Sequence, residues 1–191
     1  MKRVIDIILA VVGLVMCSPI LLFAAILIKI ESRGSIIYSQ ERIGKNGITF
    51  NLYKLRSMVT GAESKTGPVW AKINDSRVTY VGKIIRKLHI DEIPQMINVL
   101  IGDMSFVGPR PERPYFVSIL DKEIKGYNDR HQIKPGLTGL ACVSYPYGAS
   151  IRDAVEKFKY DIMYIKKTGL LIDMLILLKT VKVVLTREGS R

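Results

Sequence analysis

Two adjacent carboxylates, Asp91 and Glu92, stand just before Ile93-Pro94 and an apolar run that ends at Gly102. Proline is tolerated in the first turn of a helix but not in its interior, so the helix carrying Met96, Ile97, Leu100 and Ile101 must begin near the acidic pair. The exposed amides and dipole of a helix start favour anions, so a phosphate brought there is held without extra machinery. A carboxylate beside bound phosphate can attack phosphorus, and its neighbour can hold Mg2+, which needs only one or two protein oxygens besides phosphate and water. The plain alternative is a capping aspartate followed by a first-turn glutamate, and the dipeptide alone does not separate the two. Lys54, Arg56, Arg77, Arg86 and Arg110 surround the pair in sequence as scattered single cations, a pattern suited to several fixed phosphate contacts or to ordinary surface ion pairs. Arg110 differs from the rest, because Pro109 and Pro111 fix its direction. His89 and His131 are too few and too far apart for a metal cluster, and no nucleophilic-serine, Walker or zinc signature is present.

The elements that must position these residues begin with a membrane-type segment. Ile7 to Ile28 is 22 residues without a charge, flanked by Lys2, Arg3 and Asp6 on one side and Lys29 and Arg33 on the other. That length just matches a hydrocarbon core of roughly 30 Å. Ser18-Pro19 lies at its middle and predicts a bend, since proline lacks the amide donor. Basic residues on both flanks favour a helix that enters the membrane and returns, because a spanning helix would put cations on both sides. A kinked spanning anchor is the competing reading.

Beyond it, Ile36 to Leu55 reads as a β-hairpin around Gly44-Lys45-Asn46-Gly47, and Val59 to Asp75 reads as a loop with Trp70 as an anchor. Val81, Ile84, Ile85 and Leu88 predict a short amphipathic helix, and the apolar residues after Pro94 repeat its pattern. Gly108-Pro109-Arg110-Pro111 predicts a rigid connection, followed by a polar stretch up to Lys134-Pro135-Gly136. Val155, Phe158, Ile162 and Ile165 predict a further helix. Leu170 to Leu185 predicts a last one, whose Asp173, Lys179 and Lys182 are too many charges for comfortable spanning.

A hydrophobic fraction of 48% beside a net charge of +12 implies both an apolar and an anionic environment. A membrane-anchored basic module holding nucleic acid or anionic lipid would explain the charge but not the acidic block. Cys17 and Cys142 can build neither a disulfide framework nor a metal site, which suits a reducing compartment.

The chain resembles the bacterial sugar transferase family, the monotopic polyprenyl-phosphate phosphoglycosyltransferases, from Lys2 to about Leu185. The resemblance is carried by Ser18-Pro19, by Tyr53-Lys54-Leu55-Arg56-Ser57-Met58, by Asn74-Asp75-Ser76-Arg77, and by the block DEIPQMINVLIGDMSFVGPRPE from Asp91 to Glu112. It implies a mainly helical α+β fold in which residues 1–33 form a re-entrant membrane helix broken at Ser18-Pro19. Residues 34–191 would be a cytoplasmic catalytic domain, with a small β-hairpin and amphipathic interfacial helices, on the bacterial inner membrane. It implies that Asp91 attacks the β-phosphate of a UDP-sugar, releasing UMP, and that polyprenyl phosphate resolves the resulting sugar-phosphate intermediate. Glu92 would bind Mg2+. Lys54, Arg86 and Arg110 would belong to the charged surroundings, and Asp161 and Asp173 match recurrent family acids of a polar network. The expected partners are the UDP-sugar, the polyprenyl phosphate and anionic membrane lipid, with no nucleic acid; the oligomeric state is open, a homo-oligomer included. After the Pro-Gly-x-Thr-Gly turn, where many small members carry Asn-Gly-Arg-Asn, this chain has Tyr145 to Ser150, so sugar recognition does not carry over there. That segment is closer to the exopolysaccharide-assembly branch, whose members often bear further N-terminal membrane helices and a regulatory domain. The stretch read here corresponds to a small member or to the catalytic part of a larger one.

Overall fold

The computed structural model describes residues 1–64, 66–70, 75–146, 148 and 150–186. Asn74, in the second motif, and Tyr147 and Ala149, in the divergent segment, lie outside the described residues. The fold is α+β and mainly helical, with two small two-stranded sheets and one long apolar N-terminal helix.

That helix, α1 (Lys2–Glu31), is the only described helix long and apolar enough to cross a membrane. It continues through Pro19 as one helical element rather than dividing into two at Ser18-Pro19. The reason is local. Pro19 has no amide to offer the carbonyl four residues back, Val15, and the Ser18 hydroxyl donates to that oxygen instead at 2.8 Å.

Both ends of α1 rest on the same body. At the N-terminus Lys2 Nζ donates to the Val107 carbonyl (2.9 Å) and the Tyr164 hydroxyl (2.8 Å) and pairs with Asp173 (2.9 Å). Arg3 donates to the carbonyls of Val99 and Leu100, and Asp6 accepts from the Phe106 amide at 3.0 Å. At the C-terminus the Arg56 guanidinium donates to the carbonyls of Ser32 (2.8 Å) and Arg33 (2.6 Å), while Glu31 accepts from the Tyr80 amide. Between these tethers Val11, Val15, Met16, Ile20, Leu22 and Phe23 are exposed.

Strands β1 (Ile37–Ile43) and β2 (Thr49–Leu55) pair antiparallel from Ile37 opposite Leu55 to Ile43 opposite Thr49. Their turn places Asn46 and Gly47 at positive φ, where asparagine and glycine are the favoured types. Helix α2 (Tyr80–Lys87) is capped by Thr79, whose hydroxyl accepts from the Gly82 amide, and buries Ile85 against Leu55, Ala24 and Ile28. Gly82 is required by close approach, since a Cβ there would lie 2.0 Å from the Ser57 carbonyl oxygen. Helix α3 (Gln95–Ile101) ends at Gly102, as its φ of 101° demands.

The apolar face expected on α3 is partly turned outward: Ile97 and Ile101 are exposed, whereas Gln95, Asn98 and Val99 are buried. The cause is Asn98, whose amide donates to the Asn51 carbonyl (2.7 Å) and accepts from the Tyr53 amide (3.0 Å), capping the outer edge of β2.

Strand β3 (Ser105–Val107) pairs in parallel with β4 (Gly136–Thr138). The span between them is not simply a polar stretch. It contains α4 (Pro114–Glu123), with Pro114 at its first turn, and a 3₁₀ segment from Tyr127 to Gln132. Phe116, Val117, Leu120, Ile124 and Tyr127 form a core cluster there, on which Trp70 stacks with ring centroids 4.6 Å apart from Phe116. After the short α5 (Leu140–Ser144), α6 (Ile151–Lys166) starts at a capping box of Ser150 and Asp153, and α7 (Leu170–Thr186) closes the fold. Helix α7 turns Asp173 and Ile176 inward and leaves Leu171, Leu175, Leu178 and Val181 exposed.

Candidate active site

Asp91 and Glu92 occupy a 3₁₀ turn, Ile90–Glu92, that runs through Ile93 and Pro94 into α3. His89 enters this turn at a φ of 55°, reversing the chain after α2 so that the two acids lie between the end of one helix and the start of the next. The turn touches both α2 and β2, which brings Arg86 and Lys54 toward it from separate elements.

The two carboxylates have opposite surroundings. Glu92 Oε1 accepts from Lys54 Nζ at 2.6 Å and from Arg110 Nη2. Burial acts to raise its pKa, but Arg110 and Lys54 overcome that and hold the carboxyl well below the usual range. Asp91 is 7% exposed and accepts no hydrogen bond among the described residues. Burial pushes its pKa up to about 6, against the cations Lys54 and Arg86 and with the Glu92 charge adding to the rise. One acid is therefore fixed and favoured as the carboxylate by its two cations, and the other accepts no hydrogen bond among the described residues.

Arg110 is aimed from below. Its carbonyl accepts from Arg130 Nη2 at 2.8 Å. Arg130 is itself buried, donates to Asp161 from Nε (3.0 Å) and Nη2 (2.7 Å), and lies over the Tyr127 ring. The loop bearing Arg110 crosses the β4 segment backbone to backbone: a Cβ on Gly136 would lie 2.1 Å from the Gly108 nitrogen, and one on Gly139 2.1 Å from the Gly108 oxygen.

Of the cations expected around the acids, the structure brings together Lys54, Arg86 and Arg110. It commits Arg56 to the carbonyls at the end of α1, and it holds Arg77 in a fork on Asp75 (2.8 and 2.5 Å). Asp161 supports Arg110 through Arg130, while Asp173 joins Lys2 and the Tyr164 hydroxyl (2.6 Å). Ser18 and Pro19 belong to the middle of α1. Sequence reasoning did not single out Arg130 and Tyr127. No local signal points to Arg130, because its partner is 31 residues away.

Among the described residues no three His, Cys, Asp or Glu side chains gather as a metal set. A divalent ion that binds chiefly through phosphate oxygens needs less than that. The ionised Glu92, with both cations on Oε1 and Oε2 outside those contacts, has the donor chemistry for such an ion, with Asp91 next to it.

The sequence pattern of the bacterial sugar transferase family matches residues 1–187. The chain is 46% identical over its whole length to the UDP-N-acetylgalactosamine-undecaprenyl-phosphate N-acetylgalactosaminephosphotransferase of Aeromonas hydrophila, of which it spans 45%. It is 41% identical over 94% of its length to the UDP-glucose:undecaprenyl-phosphate glucose-1-phosphate transferase of Klebsiella pneumoniae, of which it spans 39%. The exopolysaccharide production protein PSS of Rhizobium leguminosarum bv. phaseoli is similar almost end to end, at 36% identity over 98% of this chain and 96% of that protein. The chain thus covers less than half of the first two relatives and nearly all of the third. With this match running through α1, the acidic turn and the Arg110 loop alike, the chain belongs to the bacterial sugar transferase family.

Proposed function

We propose that this chain transfers a sugar 1-phosphate from a UDP-sugar to undecaprenyl phosphate. The observation that carries the reading is the Asp91 carboxylate, buried, without a hydrogen bond among the described residues and adjacent to a glutamate clamped by two cations. In the first step an Asp91 oxygen attacks the β-phosphorus of the donor. The bond from that phosphorus to the bridging oxygen breaks, and UMP leaves with its electron pair. In the second step a phosphate oxygen of the lipid attacks the same phosphorus, the aspartyl oxygen leaves as carboxylate, and a diphosphate-linked sugar is formed. Lys54, Arg86 and Arg110 supply positive charge where phosphate charge gathers. Mg2+ held by Glu92, with Asp91 beside it, would neutralise donor phosphate charge.

The same reading puts residues 1–33 in the bacterial cytoplasmic membrane as a re-entrant element, with the catalytic body on the cytoplasmic face. Support comes from the tethering of both ends of α1 to one body while its apolar middle is exposed. The exposed Ile84 and Leu88 beside Lys83 and Lys87, and the exposed apolar side of α7, suit an interface of acyl chains and anionic headgroups. The distinguishing experiment incubates the protein with a panel of UDP-sugars, undecaprenyl phosphate and Mg2+. UMP as the nucleotide product supports phosphosugar transfer, whereas UDP would mean that the sugar moves without its phosphate.

A further inference from the structure

Beside the acidic turn, Arg42, Leu52, Lys54, Gln95, Arg110 and Pro111 line a small, open pocket. Four elements meet there: β1 brings Arg42, β2 brings Leu52 and Lys54, the first turn of α3 brings Gln95, and the rigid loop brings Arg110 and Pro111. Gln95 is 1% exposed, and its Nε2 is buried without a hydrogen-bond partner among the described residues. Such a group ordinarily costs stability, so its retention calls for an explanation. Arg42 presents the same anomaly. Its two terminal nitrogens reach the Gln40 side chain (2.6 Å) and the Pro111 carbonyl (3.1 Å), with Glu112 at 3.5 Å, yet its Nε is buried and unpaired.

The chemistry of the lining selects the ligand. Arg42, Lys54 and Arg110 can only donate, Gln95 contributes an amide, and no carboxylate lines the pocket among the described residues. We propose that Gln95 and Arg42 complete a phosphate subsite, in which the Gln95 amide and the Arg42 Nε–H donate to the oxygens of a phosphate group that Lys54 and Arg110 also face. The inference rests on the proposed transfer reaction and deepens it: the occupant is a phosphate group, belonging either to the nucleotide donor or to the lipid acceptor.

In a two-step reaction through a covalent intermediate, kcat/KM for donor and for acceptor report separate half-reactions, which separates the two sources. Gln95→Met keeps side-chain length and removes the amide. It should lower one of the two kcat/KM values by about 10-fold with kcat little changed, and Gln95→Glu, which adds a negative charge, should lower the same value further. A loss confined to the UDP-sugar assigns the subsite to the donor phosphate, and one confined to undecaprenyl phosphate assigns it to the acceptor. Unchanged values for both substrates, or a parallel loss of both together with kcat and melting temperature, would overturn the proposal. If Gln95→Met does not fold, Arg42→Lys, which removes Nε and keeps the charge, is put to the same partition. Titration of inorganic pyrophosphate into wild type and Gln95→Glu needs no turnover. Weaker binding by the variant upholds the anion site even if no UDP-sugar yields UMP, an outcome that would refute only the transfer reaction; equal binding would refute the subsite.

Discussion

At the scale of single residues the site depends on two neighbouring acids held in different states. Glu92 is ionised throughout the useful pH range because Arg110 and Lys54 outweigh its burial, so it does not titrate near neutrality. Asp91, raised to about 6 mainly by burial, does. In the proposed reaction its reactive form would be the carboxylate. The rate of UMP release should therefore fall about 10-fold per pH unit below about pH 6 and level off above pH 7. Lys54→Met should move this limb to higher pH, because the lost cation favours the ionised form. A stopped-flow or quenched pH profile checks both.

The same shift has a stability consequence with a definite sign. The folded state holds the Asp91 proton more tightly than the unfolded chain, whose pKa is 3.8, so Asp91 lowers stability progressively as pH rises from about 4 through 6. Asp91→Asn should abolish turnover and yet stabilise the protein by about 2–3 kcal/mol at pH 7, a gain that fades near pH 4. Thermal unfolding at the two pH values measures it.

At the scale of elements, the acidic turn is positioned from α2, α3 and β2, and Arg110 from the buried Arg130–Asp161 pair. Asp161→Asn leaves a buried guanidinium without its counter-charge and should cost roughly 3–5 kcal/mol. Replacing both partners, as Arg130→Met with Asp161→Leu, should recover much of the stability in a denaturation assay but not the activity, because the Arg110 carbonyl still lacks its donor.

The sequence made some of this arrangement readable and not the rest. The hairpin, α2, α6, α7 and the rigid Arg110 loop announce themselves through spacing, turn residues and prolines. Asp91, Glu92, Lys54 and Arg110 stand out because special local chemistry surrounds them. Helix α4 was hidden because Tyr115 and Lys122 interleave with its apolar residues and Pro114 imitates a stop. Asn98 reverses the simple reading of α3, since a polar residue that satisfies a strand edge is buried in preference to Ile97 and Ile101. Arg56 was legible only as a nearby cation. That it closes the end of α1 depends on a contact 24 residues away.

At the scale of the whole molecule, the question is how a 30-residue apolar helix relates to the body that carries the site. Lys2, Arg3 and Asp6 hold one end, Glu31 and the carbonyls of Ser32 and Arg33 hold the other, and Val11, Val15, Met16, Ile20, Leu22 and Phe23 are exposed between them. With Cys17 and Cys142 replaced, cysteines introduced at Lys2 and Arg33 should both react with an impermeant reagent only from the cytoplasmic side. Labelling at Lys2→Cys from the opposite side would mean that the helix spans. In the proposed reaction a re-entrant helix would let a lipid phosphate at the headgroup level meet a nucleotide sugar arriving from water, and both would converge on the Asp91 carboxylate. The most direct measurement is mass spectrometry of the protein quenched after incubation with UDP-sugar and Mg2+ in the absence of lipid acceptor. The two-step reaction predicts one phosphosugar on Asp91, discharged by undecaprenyl phosphate and missing from Asp91→Asn; persistent absence of that adduct, under conditions where complete turnover releases UMP, would refute the covalent route.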